Sequence, residues 1–248
     1  MKYIFDIDGT LTPSRGVMNK EFKEFCMDFF DKKEVYLITG SDRSKTIEQI
    51  GEDLYNKAKI VYNCSGNDIY VAESNIHKTD WKLDNSISFW LRNALEKSSY
   101  HTKTGNHIEH RTGLVNFSIV GRNATQEQRE AYYKYDCSNH ERATIAQELN
   151  KKFGKKINAT IAGETGIDIV KPGSDKSQVV PDFDGQDIVF FGDKTEEGGN
   201  DYTIAEAFKG RKQTVVMSSQ LQEDAEVTQA IVPVKNWEET WEVLKIIA

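Results

Sequence analysis

Two aspartates one residue apart, Asp6 and Asp8, close the first apolar run of the chain and are followed at once by Gly9 and two threonines, Thr10 and Thr12. Neighbouring carboxylates repel one another and resist desolvation, so something positive is expected between them. Other polar clusters follow apolar runs in the same way. One run ends in TGSD (Thr39, Gly40, Ser41, Asp42), and another, DIVFF, ends in GDKTEEGGND, which supplies Asp193, Asn200 and Asp201. Lys176 stands before that last run. Aspartates converging on one crevice need a cation, and an oxygen-only donor set suits Mg²⁺. With a lysine and hydroxyl donors nearby, such a site is fitted to receive phosphate. One carboxylate of the Asp6/Asp8 pair can then attack phosphorus while the other exchanges a proton with the entering or leaving oxygen.

These side chains must be placed by the ends of buried strands. Residues 2–6, 34–38 and 59–64 are short apolar runs, and between the first two an aromatic stripe (Phe22, Phe25, Cys26, Phe29, Phe30) has helical spacing. A second helix is expected from Asp42 to about Lys57. This β-α-β-α-β alternation predicts right-handed crossovers, a doubly wound parallel sheet and ligand binding beyond the carboxyl ends of its strands. From about Trp81 the style changes to helices beside alternating strands, including one long polar helix from about Thr125 to Phe153. Buried strands return after Pro172, and a helix from Asn236 to Ile247 ends the fold. The expected organisation is α/β, with a core of residues 1–78 and 172–248 interrupted by an α+β insert at 79–171 carrying an antiparallel sheet.

The 248 residues carry a net charge of −7, which argues against nucleic acid or anionic lipid as the main partner. No membrane-spanning run or signal region is evident, so a cytosolic protein is expected. Cys26, Cys64 and Cys137 are scattered and read as reduced thiols. The five histidines lack zinc-site spacing.

In this order, DIDGTLT, TGSD, Lys176 and GDKT…GGND resemble the motifs of the haloacid dehalogenase-like (HAD) superfamily. The resemblance implies Asp6 as nucleophile, Asp8 as general acid/base, phosphate contacts from Thr39 or Ser41 and from Lys176, and Mg²⁺ held by Asp6, the Asp8 carbonyl and Asp193. Asn200 and Asp201 belong to the same fourth motif and join the candidate metal set.

The insert supplies Arg111, Arg122 and Arg129 within RTGLVNFSIVGRNATQEQREAYYKYD. On an acidic protein this trio is expected to form a second anion pocket, which a second phosphate would fill. The stretch, with GIDIVKPGSDKSQVV and FFGDKTEEGGND, resembles the eukaryotic-type phosphomannomutases over nearly the whole chain. That resemblance implies that Arg15, Arg111, Arg122, Arg129 and Asp168 bind substrate. It implies a hexose phosphate substrate, a hexose bisphosphate activator, a 1,6-bisphosphate intermediate and a homodimer formed through the cap. Ile87, Trp90, Leu91 and Leu95 could serve that dimer or cover the cap sheet. Two departures stand out. Gly166 replaces the family's serine, and the region after GGND lacks an aspartate for a second cation, with Glu206 beside the vacant position. The competing reading is a Mg²⁺-dependent sugar-phosphate phosphatase on the same core.

Overall fold

The structure is a computed structural model that describes residues 1–14, 16–209, 214–216 and 229–248. The chain divides into two compact units, Met1–Lys78 with Gly173–Ala248, and Thr79–Pro172.

In the first unit the elements run β1 (Lys2–Phe5), α1 (Lys20–Lys32), β2 (Glu34–Ile38), α2 (Arg43–Ile50), α3 (Glu52–Lys57), β3 (Ile60–Asn63), β4 (Asp68–Val71) and β5 (Ser74–Lys78). The second unit comprises α4 (Asn85–Lys97), β6 (Ile108–Arg111), β7 (Leu114–Phe117), α5 (Gln126–Asn139), α6 (Glu141–Phe153), β8 (Asn158–Ala162) and β9 (Gly166–Val170). The chain then returns to the first unit through β10 (Ile188–Gly192), α7 (Tyr202–Lys209), β11 (Thr214–Val216), β12 (Gln229–Pro233) and α8 (Trp237–Ile247).

The first unit holds an eight-stranded sheet in the order β11-β12-β10-β1-β2-β3-β4-β5. Strands from β11 to β3 are parallel, and β4 and β5 add an antiparallel edge. The aromatic stripe of α1 packs on this sheet: Phe22, Cys26, Phe29 and Phe30 are buried, and the Asn19 side chain caps the helix by accepting from the backbone N–H groups of Glu21 and Phe22. Phe5 stacks on Phe191 at 4.7 Å between ring centroids. Trp237 and Trp241 of α8 stack on Phe22. Each fully buried large apolar side chain contributes roughly 1.5–3 kcal/mol, so the strand ends that carry the polar clusters rest on a rigid floor.

The second unit has a four-stranded antiparallel sheet in the order β6-β7-β9-β8. One face is apolar, with Val115, Phe117, Ile167, Ile169 and Ala159 packed against Ile87 and Leu91 of α4 and Ile145 and Leu149 of α6. Trp90 and Leu95 join the same core. The apolar stripe of α4 therefore covers its own unit.

Two expected helices are each divided. The segment 42–57 breaks at Gly51, whose φ of +84° ends α2 and starts α3. A Cβ there would lie 2.1 Å from Lys23 Nζ and 2.6 Å from Asp53 Oδ1, atoms joined in an ion pair, so glycine suits the turn on both counts. The segment 125–153 breaks at His140, left-handed at φ +52°. Next to the break the Asp136 carboxylate accepts from Arg142 N and Nε, both at 2.8 Å, and this buried pair fixes α6 against α5. A left-handed or positive-φ residue, with the ion pair beside it, thus overrides the helical pattern at each break. Among the described residues, no helix is long and apolar enough to cross a membrane. Cys26, Cys64 and Cys137 are not joined in disulfides.

Candidate active site

β1 lies between β10 and β2, with Phe5 in register with both Phe191 and Leu37. Residues just past these strands are consequently neighbours: Asp6 and Asp8 in the middle, Asp193 on one side, Thr39 and Ser41 on the other. The Asp6 N–H donates to Phe191 O at 2.9 Å, carrying the β10 pairing one residue beyond the strand.

Asp6, Asp193 and Asp201 bring carboxylate oxygens within 4.8 Å of one another. Lys176, at the start of a 3₁₀ turn (Lys176–Phe183), is 3% exposed. Its ammonium donates to Asp6 Oδ1 and, at 2.6 Å, to Asp201 Oδ1. Burial alone would lower the lysine's pKa, but the Asp201 and Asp6 carboxylates outweigh it and hold the pKa above the usual lysine range. Burial and the Asp201 charge push Asp6 well upward against the pull of Lys176. Burial, then Asp201, raises Asp193 to about 6.

Three carboxylates facing one ammonium leave about the charge that a divalent cation would neutralise. Two buried oxygens, Asp6 Oδ2 and Asp193 Oδ1, have no hydrogen-bond partner, and an acceptor left so is costly unless a cation or donor meets it. The donor set is all oxygen. These features fit Mg²⁺. The oxygens of Asp201 are engaged by Lys176 and by Lys194 N at 3.3 Å, so this residue is placed to anchor the lysine. Asn200 is exposed. Gly9 permits the close packing. Its φ is +87°, and a Cβ would fall 2.2 Å from Asp193 Oδ2.

Asp8 is held differently. Gln49 Nε2 donates to its Oδ1 at 2.8 Å, and Ser41 Oγ donates to its Oδ2 at 3.4 Å. Gln49 is buried on the inner face of α2 with Thr46 and Ile50. It was not singled out in the sequence, although a polar residue inside an apolar helical stripe is a readable signal. The Thr39 hydroxyl, also buried, accepts from Ser41 N at 3.0 Å and fixes the turn after β2 while keeping its own proton to donate. Arg15 lies outside the described residues.

In the second unit, Arg111 and Arg122 meet on one carboxylate that the sequence reading also passed over. Arg111 reaches Glu109 Oε2 through Nε at 2.9 Å and Nη2 at 2.5 Å, and Arg122 Nε reaches the same oxygen at 3.1 Å. Glu109 thereby holds two guanidinium groups side by side. Asp168 is near enough for both arginines to pull its pKa down, although burial pushes it up more strongly. Asn116 Nδ2 donates to Asp168 Oδ1 at 2.6 Å. Arg129 is half-buried just past the first turn of α5. Glu206 pairs with Lys209 at 2.7 Å on the exposed side of α7.

Residues 22–231 match the family model for eukaryotic phosphomannomutase. The phosphomannomutase of Arabidopsis thaliana is 34% identical over 217 residues, which cover 83% of this chain and 87% of the relative. That of Spinacia oleracea is 36% identical over 212 residues, covering 81% and 84%. Among solved structures, a haloacid dehalogenase-like hydrolase from Bacteroides thetaiotaomicron superimposes with a TM-score of 0.62 at 14% identity, covering 100% of this chain and 99% of that one; at that identity the likeness shows the fold alone. The phosphatase alternative is not favoured by these relatives. With the family motifs in order on an α/β core and a separate antiparallel sheet, the chain belongs to the eukaryotic phosphomannomutase family, phosphoryl-transfer isomerases of the HAD superfamily.

Proposed function

We propose that the chain interconverts mannose 6-phosphate and mannose 1-phosphate through a phosphorylated Asp6 and a hexose 1,6-bisphosphate. In this reading Lys176 fixes the plane of the Asp6 carboxylate and offsets its charge, so that the buried group can serve as a nucleophile. Asp8, steadied by Gln49 and Ser41, takes the proton from the attacking sugar hydroxyl and returns it to the departing one in the reverse half-reaction. The hydroxyls of Thr39 and Ser41, with Lys176, supply donors for the transferring phosphoryl group. Asp6, Asp193 and the Asp8 carbonyl would hold Mg²⁺, which when bound lowers the charge repulsion between the carboxylate and the phosphate.

The phosphate that does not react has its counter-charges on the second unit, at Arg111 and Arg122, with Arg129 and Arg15 assigned to the same task. The observation that carries the mutase reading is this pair of guanidinium groups beside Asp168, a set that would hold a phosphate and a sugar hydroxyl. A phosphatase acting on a sugar monophosphate has no second phosphate to place there. Because α4 turns its apolar stripe inward, a homodimer through the cap would use another surface of that unit; sedimentation equilibrium measures it.

The test is ³¹P NMR of mannose 1-phosphate with Mg²⁺ and a catalytic amount of hexose bisphosphate. Mannose 6-phosphate is the expected product, dependent on the bisphosphate. Inorganic phosphate as sole product would overturn the reading in favour of a phosphatase.

A further inference from the structure

Gly166 stands where the family carries a serine, and the geometry explains what occupies the space. The register of the second sheet aligns Glu109, Asn116, Asp168 and Thr160 in one row across its four strands. Side chains alternate along a strand, so this row lies on the face opposite the apolar one. Gly166 is two residues before Asp168 on the same face. A Cβ on Gly166 would fall 2.5 Å from Asn116 Nδ2 and 3.2 Å from Asn116 Oδ1. The backbone there does not demand glycine, since its φ is outside the left-handed range. A Cβ would also lie 3.2 Å from the Ala162 carbonyl oxygen, so the Asn116 amide is the nearest of the groups that crowd the position.

The amide also has a defined orientation. An ionised carboxylate only accepts, so the nitrogen of Asn116 must face Asp168, and Oδ1 must point away from it. That oxygen is buried and has no hydrogen-bond partner, while Asn116 as a whole is only 5% exposed. A buried acceptor left unsatisfied is expensive and calls for a donor from elsewhere. The Asp168 carboxylate beside it is a second acceptor. Two acceptors bridged by one hydrogen bond match a pair of neighbouring sugar hydroxyls, each donating its proton.

We propose that Asn116 and Asp168 together read two adjacent hydroxyls of the hexose, Asn116 being a specificity residue, and that Gly166 is glycine in order to seat the Asn116 amide. The inference rests on the phosphomannomutase reading and extends it to sugar recognition. The Glu109 carboxylate next in the row holds Arg111 and Arg122, which puts the hydroxyl-reading pair beside the anion-binding pair. A hexose phosphate presents both chemistries.

The experiment compares mannose 1-phosphate with its 2-, 3- and 4-deoxy analogues in wild type, Asn116→Ala and Gly166→Ala, each checked by circular dichroism. In wild type, deleting the hydroxyl that Asn116 reads should lower kcat/KM about tenfold, because the acceptor is then left unpaired. In Asn116→Ala the same deletion should cost less than about twofold, while the other deletions keep their wild-type cost. Gly166→Ala should give the same pattern, since its methyl group displaces the amide with the asparagine still present. A merely structural role would lower all rates alike and preserve every ratio. Unchanged ratios in both variants, with wild type active, would overturn the role of Asn116 and leave the mutase reading standing. A wild-type enzyme that isomerises no mannose phosphate would overturn both.

Discussion

Gly9→Ala tests the placement of the acidic cluster with one methyl group. The new Cβ would lie 2.2 Å from Asp193 Oδ2 and 2.5 Å from its Cγ. Ordinary contact needs about 3.4–4 Å, so the carboxylate must retreat by more than about 1 Å. Metal–oxygen bonds of about 2.0–2.1 Å tolerate no such shift. A misplacement of this size also costs on the order of 100-fold in a positioned reaction. The backbone adds its own penalty, because φ at this residue is +87° and an L side chain there costs about 1–2 kcal/mol. The expected result is a rise of at least about tenfold in the Mg²⁺ concentration for half-maximal activity, with kcat/KM at saturating Mg²⁺ down about 100-fold. The melting temperature should fall by about 2–8 °C. Steady-state kinetics over a Mg²⁺ titration, with calorimetry on the same samples, measure all three. Wild-type Mg²⁺ dependence and turnover in this variant would refute both the close approach of Asp193 to Gly9 and the part given to Asp193 in holding the cation.

Lys176→Met removes the ammonium between Asp6 and Asp201 and leaves buried carboxylates uncompensated; activity should be lost and stability in Mg²⁺-free buffer should fall by about 3–5 kcal/mol. Adding Asp201→Asn should recover part of that stability in denaturant titrations, and a double variant no more stable than the single one would contradict the charge argument. Gln49→Ala removes the donor to Asp8 Oδ1, a bond to a charged group worth about 1.5–3 kcal/mol, so kcat should fall about 10- to 150-fold with KM little changed; a change below about threefold would exclude Gln49 as a positioning residue. Arg122→Ala should reduce kcat/KM for mannose 1-phosphate more than about tenfold, and unchanged kinetics would remove the distal phosphate from the second unit.

The chemistry was legible wherever it sits at the end of a parallel strand. An apolar run followed by aspartate, TGSD or GDKT fixes both the element and the side of the sheet where its polar end lies, and this is why Asp6, Asp193 and Thr39 could be placed from sequence. What escaped depends on contacts across long sequence separations. Asn116 gains its meaning only from pairing with Asp168, 52 residues later, and a one-residue change of register would send it to the apolar face. Gln49 lies 41 residues from Asp8. The break at His140 is local instead: it has the Asp136–Arg142 pair across it and a left-handed backbone that no helical period announces. Glu109 is a different case. It is two residues before Arg111, hence on the same face of β6, and that neighbour was within reach of sequence reasoning. A phosphate site suggests charges of one sign, whereas the structure shows the arginines gathered by a carboxylate of the opposite sign. An anion site built this way would carry its own counter-ion. In the proposed function a phosphate would compete with Glu109 or share the guanidinium donors with it, so the net charge of the cluster, and not the number of arginines, would set how strongly it is held.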